Sequence, residues 1–531
     1  MTSNNRHDTG TAQALRYTMV DATCILLLIV YFLRFAIAAR HGGFRDDEML
    51  NLWIYWRAGA FKSLIANITF WTTFYRPAGA LYYLPLYHFF RLDPVPYRIV
   101  QISILTAAIP IAYYLARLLT SSRSVAFLAV LGVCYHAALA NLVFVGAFIY
   151  DVLCGFFYLA ALTYYIRLRE QDISLSPPKL LIFLLLYVLA LDSKEMAVTL
   201  PIIILTYEFL KAPHWADCKA FFRWSWRNAM PSLIAGAVTA IYLYGKLYGS
   251  GSLTRLDPYR PRYSWHQFAV ANANFLGELF FAKNAITPKT FWIFWAAVFI
   301  YAALRRDRTV RLMAFWVVIV PLPLAFVLPI RGGACLYLLL FGWAIIFAKV
   351  ARDLVAVISK AAISVGRRIT VATRTGERTE SDSDSAVCRA HRALGGSAIK
   401  IPTSGIGVAV LAVLALCLAI FTDWENRRVG NVPALLGVGQ KVSHVIAAFD
   451  SLNLRPAPHS TVLLKVEEPL FQNKWHALFI ASLVWNDHSL QIGIENLNKL
   501  TPEQLAQVNY IISLTEFEAT VIRSPGVQES E

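Results

Sequence analysis

The chain has 531 residues, of which 57% are hydrophobic and only 15% charged, with a mean hydropathy of +0.51; soluble chains run nearer one-quarter charged, so a soluble protein is excluded. The formal net charge of +16 lies in short Lys and Arg clusters between apolar runs of spanning length, the pattern of cytoplasmic membrane loops rather than of a nucleic-acid surface. The cysteines, Cys24, Cys134, Cys154, Cys218, Cys335, Cys388 and Cys417, are scattered without metal-ligand spacing and read as small core residues.

A helix crosses the hydrocarbon with roughly 20 mostly apolar residues. Runs of that kind begin with Tyr17 to Ala39, too long for a signal peptide. They continue with Tyr97 to Leu119, Val125 to Ala140, Leu142 to Ile166, Lys179 to Leu191 and Met196 to Leu210. Met230 to Tyr248, Thr290 to Leu304, Leu312 to Pro329, Ala334 to Val350 and Ile401 to Phe421 complete the series, so about eleven spans are expected. With the N-terminus inside, Arg117/Arg123, Arg167/Arg169, Lys211 to Arg227, Arg305 to Arg311 and Arg352 to Lys400 all fall on the inner face, as retained basic loops should. That assignment makes Trp265 to Lys283 a segment lying along, or dipping into, the outer face.

The expected organisation is a polytopic α-helical membrane module over 1–350 with a large first outer loop at 41–96. A basic linker over 351–400, disordered around Gly366 to Gly396, leads to a last span at 401–421. From Thr422 to the end about 12 acids face about 8 bases, and the pattern becomes that of a small α/β domain on the outer face. Thr461 to Val466, Leu490 to Ile494 and Tyr510 to Leu514 read as strands, Trp475 to Trp485 as a helix, and Thr501-Pro502-Glu503 as a helix start.

Ionisable residues at membrane depth are costly, so each is a candidate for function. The unusual ones share the outer side: Asp46, Asp47, Glu48, Arg76, Asp151, Asp192, Lys194, Glu195, Arg255, Arg260, Arg262 and Arg331. Single charges there are ordinary headgroup contacts. Three adjacent acids repel one another and suit a general base or a cation ligand, although Asp46 also reads as a helix N-cap. Arg76-Pro77 also reads as a turn, Lys194-Glu195 as a neutral pair, and His136 as a buried histidine rather than a metal ligand. Trp53, Trp56, Trp71, Tyr82 and Tyr83 read first as interface-belt residues and second as platforms for sugar stacking.

The order of these motifs carries a resemblance. FRDDEMLN at 44–51 and FYRPAGALYYLPLYHFFRLDPVPYRIVQ at 74–101 resemble the acidic and "YRPL" segments of the transmembrane O-mannosyltransferases with tetratricopeptide repeats, members of the GT-C glycosyltransferase superfamily. His136 and Asp151, fifteen positions apart, keep that family's His-to-Asp spacing. LDSKEMAVTLP at 191–201 is similar to its Ser-Lys-Glu segment, and LPIRGGACLYLLLFG at 328–342 is similar to a later Arg-Tyr segment. Asn141 and Ile149 depart from the pattern, and no tetratricopeptide repeat follows.

The resemblance implies a multi-pass enzyme that passes a sugar, mannose or another hexose or pentose, from a polyprenyl-phosphate donor to a protein, glycan or lipid acceptor on the outer face. A bacterial inner membrane is expected. Asp46 or Asp47 is then the base, with Asp47 preferred and Glu48 orienting it. Arg76, Lys194 and Arg331 hold the donor phosphate, and His136, Asp151, Glu195 and Tyr337 support the substrate. Asp47 and Asp151 are the candidates for a divalent cation, Mg or Mn. Other classes are a transporter or lipid flippase, which would show internal repeats and midplane charges on broken helices, and a scaffold presenting the outer domain.

Overall fold

A computed structural model of the chain describes residues 5–67, 69, 76–173, 175–212, 217–248, 262–326, 333–375, 405–468, 470–471, 473–495 and 501–524. Among the described residues six helical stretches are long and apolar enough to cross a bilayer: Thr18–His41, Pro94–Thr120, Gly146–Glu170, Arg308–Ala325, Ala409–Val429 and Val432–Ser451. The pair Arg123–Cys134 and Ala137–Phe144, bent by 52°, makes a seventh if counted as one span. The expected count of about eleven compares with six or seven on this measure. Helices also form where the other runs lie, at Pro177–Ser193, Leu200–Lys211, Met230–Tyr248 and Pro288–Arg305.

The expected run Val125 to Ala140 is apolar throughout but its helix stops at Cys134, where Tyr135 and His136 turn extended. Short helical turns then carry the chain to Ile149, the start of a 22-residue helix ending at Glu170. This helix packs along Pro94–Thr120 on one side and Pro177–Ser193 on the other. Trp265–Leu279 is a 15-residue helix, too short to cross alone.

Tyr337–Thr375 forms one helix of 39 residues, so the first part of the linker continues the preceding helix, including 366–375, which the sequence assigned to disorder. Charge ends a membrane span without ending a helix, because Arg and Lys are good helix formers. The remainder of that expected linker, 376–400, lies outside the described residues. The helix Gly405–Val429, where the last span was expected, likewise runs past Phe421.

At the basic end of the bundle, buried Asp21 pairs with Arg117 and Arg123, Arg169 with Glu208, Lys349 with Asp307, and Arg305 with Asp353. Each pair joins two helices, so the cations that mark sidedness also tie the bundle together.

The tail is an α/β unit. Strands β1 (Thr461–Val466), β2 (Gln491–Ile494), β3 (Tyr510–Leu514) and β4 (Ala519–Arg523) form a sheet ordered β2-β1-β3-β4. β1 is parallel to β2 and β3, with Val462 opposite Tyr510, and β4 is antiparallel to β3. Trp475–Trp485 crosses from β1 to β2, and Pro502–Ala506, opened by a capping box on Thr501 and Gln504, leads into β3. Gln440–Ser451, part of a stretch apolar enough to span, packs on the Trp475–Trp485 helix and on β4.

This unit is fastened to the first loop. The indole N–H of Trp56 donates to Asn486 Oδ1 at 2.8 Å, and the hydroxyl of Tyr87 donates to the Leu483 carbonyl at 2.5 Å. A Cβ on Gly43 would lie 2.7 Å from the Gly439 carbonyl oxygen, and one on Gly439 would lie 2.6 Å from the Gly43 carbonyl carbon. The two backbones touch, which only glycine at both positions allows.

Candidate active site

The Asp46–Ala58 helix begins after Arg45, which occupies the cap position in extended conformation and makes no side-chain cap bond. Asp46 is therefore the first helical residue and not the cap. All three acids lie in the first turn, where the helix dipole favours negative charge. Successive residues on a helix point about 100° apart, so the run separates.

Asp47 is exposed to solvent. Asp46 is partly exposed and faces the tail, its Oδ2 lying 3.8 Å from His476 Nδ1. His476 is buried, and this nitrogen has no hydrogen-bond partner. Glu48 turns inward. Both of its carboxylate oxygens lie 2.9 Å from Arg98 Nη2, and the Gly146 N–H donates to Oε1 at 2.5 Å. Burial pushes the Glu48 carboxyl up, with Arg98 and the Gly146 N–H pulling against it. Arg98 is fully buried and also donates to the Gly43 carbonyl at 2.5 Å. A Cβ at position 146 would lie 2.3 Å from the Arg98 guanidinium and 2.7 Å from the Glu48 carboxylate.

A second group gathers around the start of the Ile149–Glu170 helix. Arg76 lies 3.4 Å from Glu195 and 5.2 Å above the Tyr150 ring. Tyr55, on the acidic helix, donates to the Arg76 carbonyl at 2.5 Å and lies 3.0 Å from the Tyr150 hydroxyl. Lys194, extended between two helices, is buried; its ammonium pairs with Asp151 and lies 3.1 Å from Cys335 Sγ. Arg76, Asp151, Lys194 and Glu195 all act electrostatically on Cys154, so they share one neighbourhood. Lys246 joins it, within the field of Glu195, Asp192 and Arg76. Asp192 is buried with neither carboxylate oxygen hydrogen-bonded.

Tyr337 packs on the same helix as Asp151, its ring 2.9 Å from where a Cβ of Gly155 would stand. His136 stands elsewhere. Its Nε2 bonds the Leu279 carbonyl at 2.9 Å, its ring stacks on Phe281 at 4.3 Å, and it borders an apolar cavity of about 580 Å³ with Leu128, Trp343, Phe347, Leu414 and Phe421. Arg331, Arg255 and Arg260 lie outside the described residues, while Arg262 is described and exposed.

Arg76, Lys194, Asp151 and Glu195 thus stand together, Tyr55 links them to the acidic helix, and His136 faces a different cavity. Sequence reasoning passed over Arg98, Tyr55, Tyr150, Lys246 and His476. Of these only Arg98 carried a signal, a cation at the start of an apolar span. Among the described residues no group of three or more His, Cys, Asp or Glu is placed to hold a metal ion. Asp151 is paired with Lys194, and Asp47 lies exposed on another helix.

No protein-family model matches the chain, and no curated protein matches it in sequence. Solved structures do. ArnT from Cupriavidus metallidurans bound to undecaprenyl phosphate is 13% identical, with a TM-score of 0.51 over 96% of this chain and 98% of that one. An oligosaccharyltransferase of Archaeoglobus fulgidus, tethered to an acceptor peptide, is also 13% identical, with a TM-score of 0.48 over 93% of this chain and 69% of that one. The chain shares the fold of ArnT across nearly its whole length and is an integral membrane protein.

Proposed function

We propose that the chain is a membrane glycosyltransferase that moves a sugar from a polyprenyl-phosphate donor to an acceptor on the extracytoplasmic face of a bacterial inner membrane. The observation that carries this reading is an exposed carboxylate, Asp47, on the short helix whose Tyr55 bonds the Arg76 carbonyl, beside a cationic group of half-buried Arg76 and buried Lys194. The fold adds support, since the ArnT that shares it was solved with undecaprenyl phosphate. The apolar cavity beside His136 is lined as a lipid chain requires.

In this reaction an acceptor oxygen attacks the anomeric carbon while Asp47, or Asp46 beside it, takes its proton. The bond to the phosphate oxygen breaks with inversion, and its electron pair leaves on the polyprenyl phosphate. Arg76 and Lys194 hold that charge, the guanidinium in bidentate fashion and the ammonium as a point charge. Asp151 fixes the Lys194 ammonium and Glu195 steers Arg76. Tyr55 stands eight residues along the helix from Asp47, about 12 Å at 1.5 Å per residue, which leaves room for a donor sugar between base and phosphate.

The test is transfer from labelled polyprenyl-phosphate sugars by folded, correctly inserted Asp46→Asn and Asp47→Asn proteins. Loss of at least about a hundredfold in kcat is expected for the base. Full activity in both variants would remove the assignment, and silence of the unaltered protein with every donor would remove the reaction.

A further inference from the structure

Between the acidic helix and the tail lies a polar cavity of about 660 Å³, within the size range of small-ligand sites. Trp53, Trp56 and Arg57 form one wall, from the same helix that carries Asp46 and Asp47. The turn Asp487-His488-Ser489 and the amides of Gln491 and Gln507 form the other.

These walls are held in place. The Trp56 indole N–H is fixed by Asn486 at 2.8 Å, and its ring stacks on His488 at 4.0 Å with the planes 13° apart. Trp53 lies against Phe479 at 4.6 Å, with Arg57 over its ring at 4.9 Å. Asp487 accepts from the Ser489 N–H and hydroxyl at 2.8 and 2.7 Å, which hold its carboxyl below the usual range and keep it an acceptor.

The chemistry is selective. The lining holds one full cation, Arg57, and one carboxylate, Asp487, so a phosphate or nucleotide gains little. The polar lining does not suit a lipid chain. The indole surface that lines the cavity, beside groups that both donate and accept hydrogen bonds, matches a molecule with apolar C–H faces and many hydroxyls.

We propose that this cavity binds a neutral saccharide and serves as the acceptor-side subsite, so that the acceptor is a glycan or carries one. The acceptor role rests on the glycosyl-transfer reading; saccharide binding does not. Trp53 stands seven residues from Asp46, about 10 Å along the same face of the helix, so an oligosaccharide seated here brings its end to the acids. A peptide added to the free edge of β2 is the competing occupant.

The experiment measures calorimetric binding of maltotriose, cellotriose, mannotriose and chitotriose to the full chain in nanodiscs. At least one binds, and Asp487→Ala and Gln507→Ala each weaken it about tenfold, roughly 1.4 kcal/mol. No binding by any of the four up to about 10 mM, binding indifferent to both substitutions, or displacement by a Ser/Thr peptide overturns the proposal. Saccharide binding without transfer would sink the enzymatic reading and leave the subsite standing. Transfer without saccharide binding would do the reverse.

Discussion

Arg98 reaches Glu48 from a position with no exposure to solvent, and a buried charge that loses its partner is costly. Arg98→Ala is expected to destabilise the protein by about 3–5 kcal/mol, whereas the double replacement Glu48→Leu with Arg98→Leu should restore most of that. Thermal unfolding in detergent checks both, and a single variant as stable as the parent would show the pair to be dispensable. The acidic run was legible in sequence as a cluster. Its division was not, because which of three consecutive acids turns inward depends on a partner fifty positions away. The sequence read the three as repelling one another. The helix instead sends Asp47 to solvent, Asp46 toward His476 and Glu48 to Arg98. Lys194 and Asp151 were each visible as charges at the end of a span; that they form one buried pair follows from the packing of their helices.

Among elements, the first loop and the tail meet at Gly43 and Gly439, whose backbones leave no space for a side chain. Gly439→Val is expected to separate them and to destabilise the docked tail by about 1–3 kcal/mol. Limited proteolysis read at the tail, with thermal unfolding, measures it; unchanged resistance would mean the contact contributes nothing. Gly146→Ala tests the other side of the same loop, since a methyl there meets the Glu48–Arg98 pair. Three strands of the tail were legible because β-branched runs bounded by turn residues have few other readings; β4, an edge strand ending in a charge and carrying a bulge, was not read. The break at Tyr135 was not, since hydropathy is continuous across it while the helix is not. Nor was the length of Tyr337–Thr375, because basic residues mark the membrane boundary and leave the helix intact.

For the molecule as a whole, the basic clusters and the acidic loop lie at opposite ends of the bundle, so sidedness is a single experiment. In intact cells, a membrane-impermeant maleimide should label a cysteine placed at exposed Gln507 and leave exposed Cys218 unmodified until the membrane is opened. The opposite pattern would invert the orientation read from Lys and Arg. Membrane character and the α/β tail were legible because composition and period carry them. The pairing of the tail with the first loop was not, since a single sequence holds no record of contacts between its distant parts. Trp56 and Asn486 are separated by 430 positions, and that separation bears on biosynthesis. The acidic helix leaves the ribosome early, long before its partners exist. Until His476, Asn486 and the tail's face of the polar cavity have been translated, no nascent chain holds that cavity. A message cut short near its end therefore yields a product whose first loop lacks the tail that closes this cavity.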